Sequence, residues 1–169
     1  MSGAWLRMAE PQRRLGLKGP RAAELLKQLR FAVPERPNSW SPLRFSERDD
    51  SSNVIGRLGS TEFFVEESGE APGIAAIEQQ SAGASGAYPV LREDFAVVLG
   101  GAAALDVLAQ VCNVNFAALP PHTVVMTLMI GVSVLVFPQA TDDGMVYRIW
   151  CDPSFGSYLQ SELEQMVNQ

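Results

Sequence analysis

Histidine and cysteine are scarce in this chain, and their scarcity removes most kinds of active site. The 169 residues include one histidine, His122, and two cysteines, Cys112 and Cys151. His122 follows two prolines and has no acidic neighbour to orient it, so we interpret it as a loop residue. Two widely separated cysteines form neither a disulfide framework nor a metal-ligand spacing, and both are predicted to be buried thiols. The sequence therefore predicts no catalytic residue and no metal site.

The glycine-rich and nucleophilic motifs of common enzyme families are also missing. No dinucleotide-binding fingerprint, P-loop or nucleophile elbow occurs. Gly100-Gly101 precedes a predicted helix whose amino end could hold a phosphate, but no Lys or Ser follows, so close packing explains the glycines better. Asp142-Asp143-Gly144 predicts a hairpin turn rather than half of a cation site. No cofactor-binding residue is predicted on this chain.

Long apolar runs and excess positive charge are absent as well. The longest apolar run, Val124 to Phe137, is broken by Thr127 and Gly131, whereas a membrane span needs roughly 20 apolar residues. We predict instead a pair of strands with a turn near Gly131, or one bent strand. The N-terminus lacks the apolar core of a secretory signal, so a cytoplasmic location is expected. A net charge of −6 argues against nucleic-acid binding.

The charge that is present is unevenly divided. Residues 1–50 hold ten Lys/Arg against six Asp/Glu, and residues 51–169 hold three against thirteen. A basic N-terminal third on an acidic protein could dock against an acidic partner. The same arginines could equally form the solvated face of a helix, and the sequence leaves both interpretations open.

Two stretches of the chain repeat one pattern of glycine and apolar residues. Residues 15–29 read LGLKGPRAAELLKQL, and residues 97–111 read VVLGGAAALDVLAQV. At an offset of 82 residues Gly19 matches Gly101, and each copy predicts a strand, a glycine turn and a helix. The same offset pairs Val54-Ile55 with Val136-Phe137, Phe63-Phe64-Val65 with Met145-Val146-Tyr147, and a helix over 71–80 with one over 153–162. The sequence therefore predicts a duplicated α+β fold whose sheets are backed by helices on one face.

We predict that the chain is a single domain of residues 1–169. The pseudo-repeats cover about 13–80 and 88–167 and are joined by the Gly/Ser/Ala-rich residues 81–87. Asp152 is the expected N-cap of the last helix, followed by Pro153 in its first turn. The buried stripe of that helix is predicted to be Phe155, Tyr158, Leu159, Leu163, Met166 and Val167.

Four stretches together resemble the gamma (small) subunit of heterotetrameric sarcosine oxidase, a relative of the aminomethyltransferase folate-binding domain. They are LGLKGPRAAELL at 15–26, RLGSTEFFVE at 57–66, FAVVLGGAAALDVLAQVCNVNFAALPPHTVVMTL at 95–128 and SFGSYLQSEL at 154–163. The third is the most specific, because a helix ends in a cysteine and an apolar–Asn–Phe segment leads through prolines to a strand. The resemblance covers nearly the whole chain apart from the first dozen residues and the loop at 34–53.

This resemblance implies two tandem ferredoxin-like halves within a cytoplasmic complex. The implied partners are the larger alpha and beta flavoenzyme subunits, with a delta subunit as a further candidate, and these would hold FAD, FMN, NAD and tetrahydrofolate. Such complexes oxidise the N-methyl group of sarcosine and pass the carbon to folate or release it as formaldehyde. This chain departs from the family pattern at Met126-Thr127 and Pro153-Ser154-Phe155, and it lacks the Ser-x-Tyr-Thr-Gly-Glu signature of aminomethyltransferases. The folate-binding residues therefore do not carry over.

Two functional hypotheses follow, and a regulatory adaptor with the same fold is a third possibility that the sequence leaves open. The first is a noncatalytic structural subunit of a sarcosine-oxidase-type flavoenzyme complex; the second is a freestanding folate-binding module, for which Glu62 and Arg92 are the loosely plausible ligands. For the subunit, residues 1–14 and 36–50 are expected to form much of the docking surface, because aromatic side chains and arginine suit interfaces. The candidate partner contacts are Trp5, Arg13, Arg14, Trp40, Leu43, Arg44, Phe45 and Arg48. Leu6 belongs to the same segments and, like them, has no assigned place in the predicted core.

Overall fold

Strands and helices alternate along the residues that this computed structural model describes, 3–44 and 53–169. The strands are β1 (Ala4–Met8), β2 (Arg13–Lys18), β3 (Ser39–Pro42), β4 (Val54–Arg57), β5 (Glu62–Glu67), β6 (Tyr88–Leu91), β7 (Phe95–Gly101), β8 (Val125–Met129), β9 (Val132–Thr141) and β10 (Gly144–Cys151). The helices are α1 (Ala22–Gln28), α2 (Pro72–Ser81), α3 (Ala104–Val111) and α4 (Gly156–Val167). Short 3-10 turns lie at Phe116–Ala118 and Pro153–Phe155.

Residues 11–92 form one compact unit around an antiparallel sheet in the order β3-β4-β5-β2-β6. Alternate residues of the strands, such as Leu17 and Phe63, face α1 and α2 and form a core with Leu26 and Ile74. Without the edge strand β3, this is the strand order of a ferredoxin-like βαββαβ unit. The weak helix α2 is held at its amino end by the buried carboxylate of Glu67, which accepts hydrogen bonds from two backbone amides of its first turn.

Residues 1–10 and 93–169 form the second compact unit, with a sheet in the order β1-β7-β10-β9-β8. Its core lies between this sheet and the helices α3 and α4, and it includes Leu99, Leu108, Ile149 and Leu159. The order of elements matches that of the first unit, with β7, β9 and β10 in the places of β2, β4 and β5. Two tandem ferredoxin-like halves are therefore present, as predicted. The one-domain prediction is untested by this division and stays a prediction.

The N-terminal strand β1 completes the sheet of the second unit in the place that β6 fills in the first. β6 pairs with β2 so that Leu17 lies opposite Pro89, and β1 pairs with β7 so that Leu99 lies opposite Leu6. The expectation that Trp5 and Leu6 lie outside the repeat is therefore wrong. The alternation of apolar and polar residues did not predict β6. Pro89 cannot donate a ladder hydrogen bond, and the four residues of this strand are all exposed.

The predicted glycine turns occur in both units and have the same cause. Gly19 has a φ of +124° and Gly101 a φ of +96°, in the region that favours glycine. A Cβ on Gly19 would lie 2.4 Å from the backbone oxygen of Gly86, and one on Gly101 would lie 2.3 Å from that of Gly3. In each unit the chain that precedes the edge strand therefore passes directly over the turn between the first strand and its helix.

The pairings later in the repeat differ from the predicted ones. Leu15 pairs with Val65, and Val65 with Ile55, while Val97 pairs with Ile149, and Ile149 with Val136. Ile55 therefore corresponds to Val136, so the predicted match of Val54-Ile55 with Val136-Phe137 is wrong by one residue. Val65 likewise corresponds to Ile149, so the predicted match of Phe63-Phe64-Val65 with Met145-Val146-Tyr147 is wrong by two residues. The cause is that the connections between the strands have different lengths in the two units.

The structure also gives the outcomes of four local expectations, which concern two hairpin turns, one N-cap and one connection. A hairpin with Ile130 and Gly131 at its tip joins β8 to β9, and Asp142-Asp143 joins β9 to β10. Asp152 accepts a hydrogen bond from the Ser154 amide at 2.9 Å and caps the 3-10 turn at Pro153–Phe155. The prediction that it caps the last helix is wrong, because α4 begins at Gly156 and its N-cap residue is Phe155. Residues 82–87, however, connect α2 to β6 inside the first unit rather than joining the two units.

The predicted stripe of the last helix is wrong at its start. Leu159 and Leu163 are buried, whereas Phe155 and Tyr158 are 51% and 47% exposed. Phe155 belongs to the 3-10 turn that precedes α4, so the helical period does not include it. No helix in the described part of the chain is long and apolar enough to cross a membrane.

Candidate functional site

The sheet face opposite α1 and α2 carries a row of charged side chains. Arg14 lies opposite Glu66, and Lys18 lies opposite Glu62, on the strand positions that alternate with the core residues. Arg14 and Glu66 form an ion pair in which the Glu66 side chain is completely buried, while the Lys18–Glu62 pair, at 3.0 Å, is largely exposed. The two pairs differ in burial, and their energetic contributions should differ accordingly.

Arg92 joins the same face from the end of β6. Its guanidinium lies 5.2 Å from the centre of the Phe64 ring, which is fully buried. The arginine side chain crosses β2 at Gly16, where a Cβ would lie 3.6 Å from its Cδ. This stacking is a cation–π contact.

The two candidate folate ligands thus both have contacts within the unit. The Glu62 carboxylate pairs with Lys18, and the Arg92 guanidinium covers Phe64. A pterin ring or a glutamate tail would have to displace these contacts. Both residues therefore have contacts within this unit, and the absence of a folate site on this chain stays a prediction.

The predicted partner contacts lie in different environments. Arg13 is exposed and pairs with Glu78 at 3.0 Å, and Arg44 is exposed as well. Arg14 lies in the buried pair described above, and Leu43 is 1% exposed within the core of its unit. The core position of Leu43 accounts for that residue without a partner. Phe45 and Arg48 lie outside the described residues.

Both predicted tryptophan anchors are strand residues. Trp40 lies in β3 opposite Gly56 and is partly buried. Trp5 lies in β1 opposite Gly100, and its ring occupies the space that a side chain at Gly100 would need, since a Cβ there would be 2.2 Å from the ring. The guanidinium of Arg7 lies over the same ring at 5.2 Å. Gly100 therefore serves the packing of Trp5, in agreement with the structural interpretation of Gly100-Gly101.

A concavity of about 700 Å³ lies beside this turn in the second unit. It is lined by the start of α3, by the β9–β10 hairpin and by the buried Tyr147. Sequence reasoning identified the helix end but missed Tyr147, because a tyrosine in a strand is ordinarily a packing residue. The signal that could have found it is the duplication, since the corresponding residue of the first unit is Phe63.

The remaining residues singled out from the sequence lie in an exposed loop and an exposed turn. His122 is an exposed loop residue with a φ of +61°. Among residues 3–44 and 53–169, no group of three His, Cys, Asp or Glu side chains could hold a metal ion. Asp142 and Asp143 are exposed turn residues.

Both cysteines are buried free thiols, as predicted. Burial raises the pKa of the Cys151 thiol to about 11, and the neighbouring carboxylates of Asp152 and Asp94 act in the same direction. A thiolate is the nucleophilic form, so this thiol is expected to be unreactive at neutral pH.

We therefore expect slow alkylation of Cys151 in the folded protein. In Cys112→Ser, iodoacetamide at pH 8 should modify Cys151 at least about 100-fold more slowly than after unfolding, and the rate should rise with pH towards the raised pKa. Mass spectrometry of quenched samples measures both rates. Equal rates in the folded and unfolded protein would contradict the buried, protonated state.

Comparison with known proteins identifies the fold. No protein-family model and no curated protein matches the sequence. Among solved structures, the chain is similar to a chain of heterotetrameric sarcosine oxidase from Corynebacterium sp. U-96, solved in complex with pyrrole 2-carboxylate. The TM-score is 0.80 at 17% identity, over 98% of this chain and 84% of that one. It is also similar to the glycine cleavage system aminomethyltransferase T from Bartonella henselae, with a TM-score of 0.74 at 19% identity, over 96% of this chain and 45% of that one.

Proposed function

We propose that this chain is a noncatalytic structural subunit of a cytoplasmic, multi-subunit flavoenzyme of the sarcosine oxidase type. The complex would oxidatively demethylate an N-methyl amino acid, and the methyl carbon would pass to tetrahydrofolate or leave as formaldehyde. The observation that carries this proposal is the fold shared with a chain of heterotetrameric sarcosine oxidase over 84% of that chain's length.

The two neighbours differ in how much of their length this fold covers. It spans 84% of the matched sarcosine oxidase chain and 45% of the aminomethyltransferase. The proposal follows the neighbour whose length is covered more fully.

Exposed apolar side chains on free sheet edges support a partner protein. β6 is an edge strand on which Tyr88 is 56% exposed and Leu91 76%. β8 is an edge strand of the other sheet, with Met126 and Leu128 55% and 60% exposed. Unprotected apolar edges favour pairing with another chain, and proteins usually cover them. We propose that larger alpha and beta subunits, and a delta subunit where one is present, contact these edges.

The N-terminal docking residues remain part of the proposal in a narrower form. Arg13 and Arg44 are exposed and can reach a partner, and Trp40 is partly exposed. Arg14 pairs with Glu66 and Leu43 lies in the core of the same unit. These two side chains would therefore support the docking surface from within the unit and would not contact the partner. FAD, FMN, NAD and tetrahydrofolate are proposed to lie on the partner subunits; the contacts of Glu62 with Lys18 and of Arg92 with Phe64 support this proposal for folate.

Calorimetric titration of the isolated chain with tetrahydrofolate tests the assignment against a freestanding folate module. We expect no binding heat, no thermal shift, a colourless protein and no oxidase activity. Glu62→Gln is the matched variant, since it removes the carboxylate that a pterin would need. Binding at about micromolar affinity that this variant abolishes would overturn the subunit proposal in favour of the folate module.

A further inference from the structure

The concavity beside α3 combines a helix end with the hydroxyl of a largely buried tyrosine. α3 has eight residues, and its N-cap residue, Ala103, provides no side-chain hydrogen bond to the first-turn amides. Tyr147 lines the same concavity and is 3% exposed, with its ring packed edge-on against Phe116. Within the part of the chain that the structure describes, no hydrogen bond involves its hydroxyl, and this oxygen is not among the fully enclosed polar atoms. Burial raises the pKa of Tyr147, so the hydroxyl stays a neutral donor at physiological pH.

The first unit has a residue without a hydroxyl at the equivalent place. Phe63 lies opposite Leu17 in one sheet, and Tyr147 lies opposite Leu99 in the other. Because Leu17 and Leu99 are equivalent in the duplication, Phe63 and Tyr147 are equivalent too. Phe63 is fully buried and fills its place without a polar group. The hydroxyl is thus an addition to the second unit, at a point where it borders open space.

The charges around the concavity limit what it could hold. The amino end of α3 favours a negative group, because its amides are directed outward. Asp143 also lines the concavity, and Asp106 lies in the first turn of α3. Residues 1–10 and 93–169 together hold nine Asp/Glu against two Lys/Arg. A ligand that places a negative group at this helix end would therefore need a positively charged group as well.

Apolar side chains complete the lining. Leu105 is 40% exposed and Met145 is 45% exposed, and both line the concavity. Small-molecule sites are typically concave and mostly apolar, with a few polar groups that fix the orientation of the ligand.

We infer that this concavity binds a free amino acid with an apolar side chain. Its carboxylate accepts hydrogen bonds from the first-turn amides of α3 and from the Tyr147 hydroxyl, its ammonium group faces the Asp143 carboxylate, and its side chain packs on Leu105 and Met145. The inference does not depend on the proposed function, because it concerns this chain's own residues.

Titration of the full-length chain with L-phenylalanine tests the site, with 3-phenylpropanoate and phenethylamine as matched probes. We expect L-phenylalanine to bind with a Kd of about 0.1–1 mM by calorimetry. The acid without the ammonium group and the amine without the carboxylate should each bind at least about tenfold more weakly. Equal binding of all three compounds, or no binding of any, would overturn the inference.

Two variants test the named contacts. Tyr147→Phe should keep the melting temperature close to that of the parent chain, as the equivalent Phe63 suggests. The same variant should bind L-phenylalanine about tenfold more weakly. Asp143→Asn should weaken the binding of L-phenylalanine and reduce the ratio between the Kd of 3-phenylpropanoate and that of L-phenylalanine. Leu91→Ala, on an exposed strand of the other unit, serves as the control and should change nothing. Unchanged affinity in both Tyr147→Phe and Asp143→Asn would show that the ligand binds elsewhere and would overturn the assignment.

Discussion

Gly101→Ala is expected to lower the free energy of unfolding by about 3 kcal/mol or more, enough to remove a large part of the stability of a typical domain. Two effects add at this position. The φ of +96° is unfavourable for an L-residue, and the new Cβ would lie 2.3 Å from the backbone oxygen of Gly3. Backbone atoms cannot yield as a flexible side chain can, so β1 would have to move away from β7. Urea unfolding followed by circular dichroism measures the loss.

Two other glycines separate backbone strain from the steric clash. Gly144 has a φ of +114° with no atom near its Cβ position, so Gly144→Ala should lose only about 1–2 kcal/mol. Gly83 has neither an unusual φ nor a close atom, and Gly83→Ala should stay within about 0.5 kcal/mol. Gly19→Ala should match Gly101→Ala, because the Gly86 oxygen occupies the equivalent place. A Gly101→Ala loss no larger than that of Gly144→Ala would contradict the close passage of the chain over this turn.

Glu66→Ala is expected to destabilise the protein by about 3–5 kcal/mol, because it removes one partner of a buried ion pair. The Glu66 side chain is completely buried and that of Arg14 is 11% exposed. Without the carboxylate, the Arg14 guanidinium would keep its desolvation cost and lose this counter-charge. The measurement is again the free energy of unfolding from urea titration.

The exposed pair on the same two strands provides the control. Glu62→Ala removes the partner of Lys18, whose side chain is 52% exposed, so the loss should be about 0–1 kcal/mol. Raising the salt concentration should reduce this small effect and leave that of Glu66→Ala nearly unchanged. Similar losses for the two variants would mean that the burial of Glu66 does not determine the stability of the pair.

The duplicated fold was predictable because its strongest signals are local. A glycine turn that joins a buried strand to an amphipathic helix leaves the same pattern wherever it occurs, so Gly19 and Gly101 revealed the repeat. The hairpins at Gly131 and Asp143 were likewise predictable, since turn residues act on their immediate neighbours. Asp152 was recognised as a capping residue, but the element that it caps is the 3-10 turn before α4.

The edge strands and the concavity depend on contacts between distant parts of the chain. β1 pairs with β7 across about ninety residues, and β6 contains Pro89, so neither had a readable period. Leu43 was assigned to a partner surface because its irregular, proline-rich surroundings gave no reason to place it in a core. Tyr147 and Asp143 lie together beside α3 only in the folded sheet, so their spacing in the sequence did not predict the concavity.

Co-expression with one component left out tests the central claim most directly. This chain would be produced together with the FAD-binding and large folate-domain subunits of its complex, and the preparation would be repeated without it. The complete set is predicted to yield a yellow complex that contains this chain and oxidises an N-methyl amino acid. The set without it should lose most of both assembled flavin and activity. A complex that forms and works fully in the absence of this chain would contradict its role as a structural subunit.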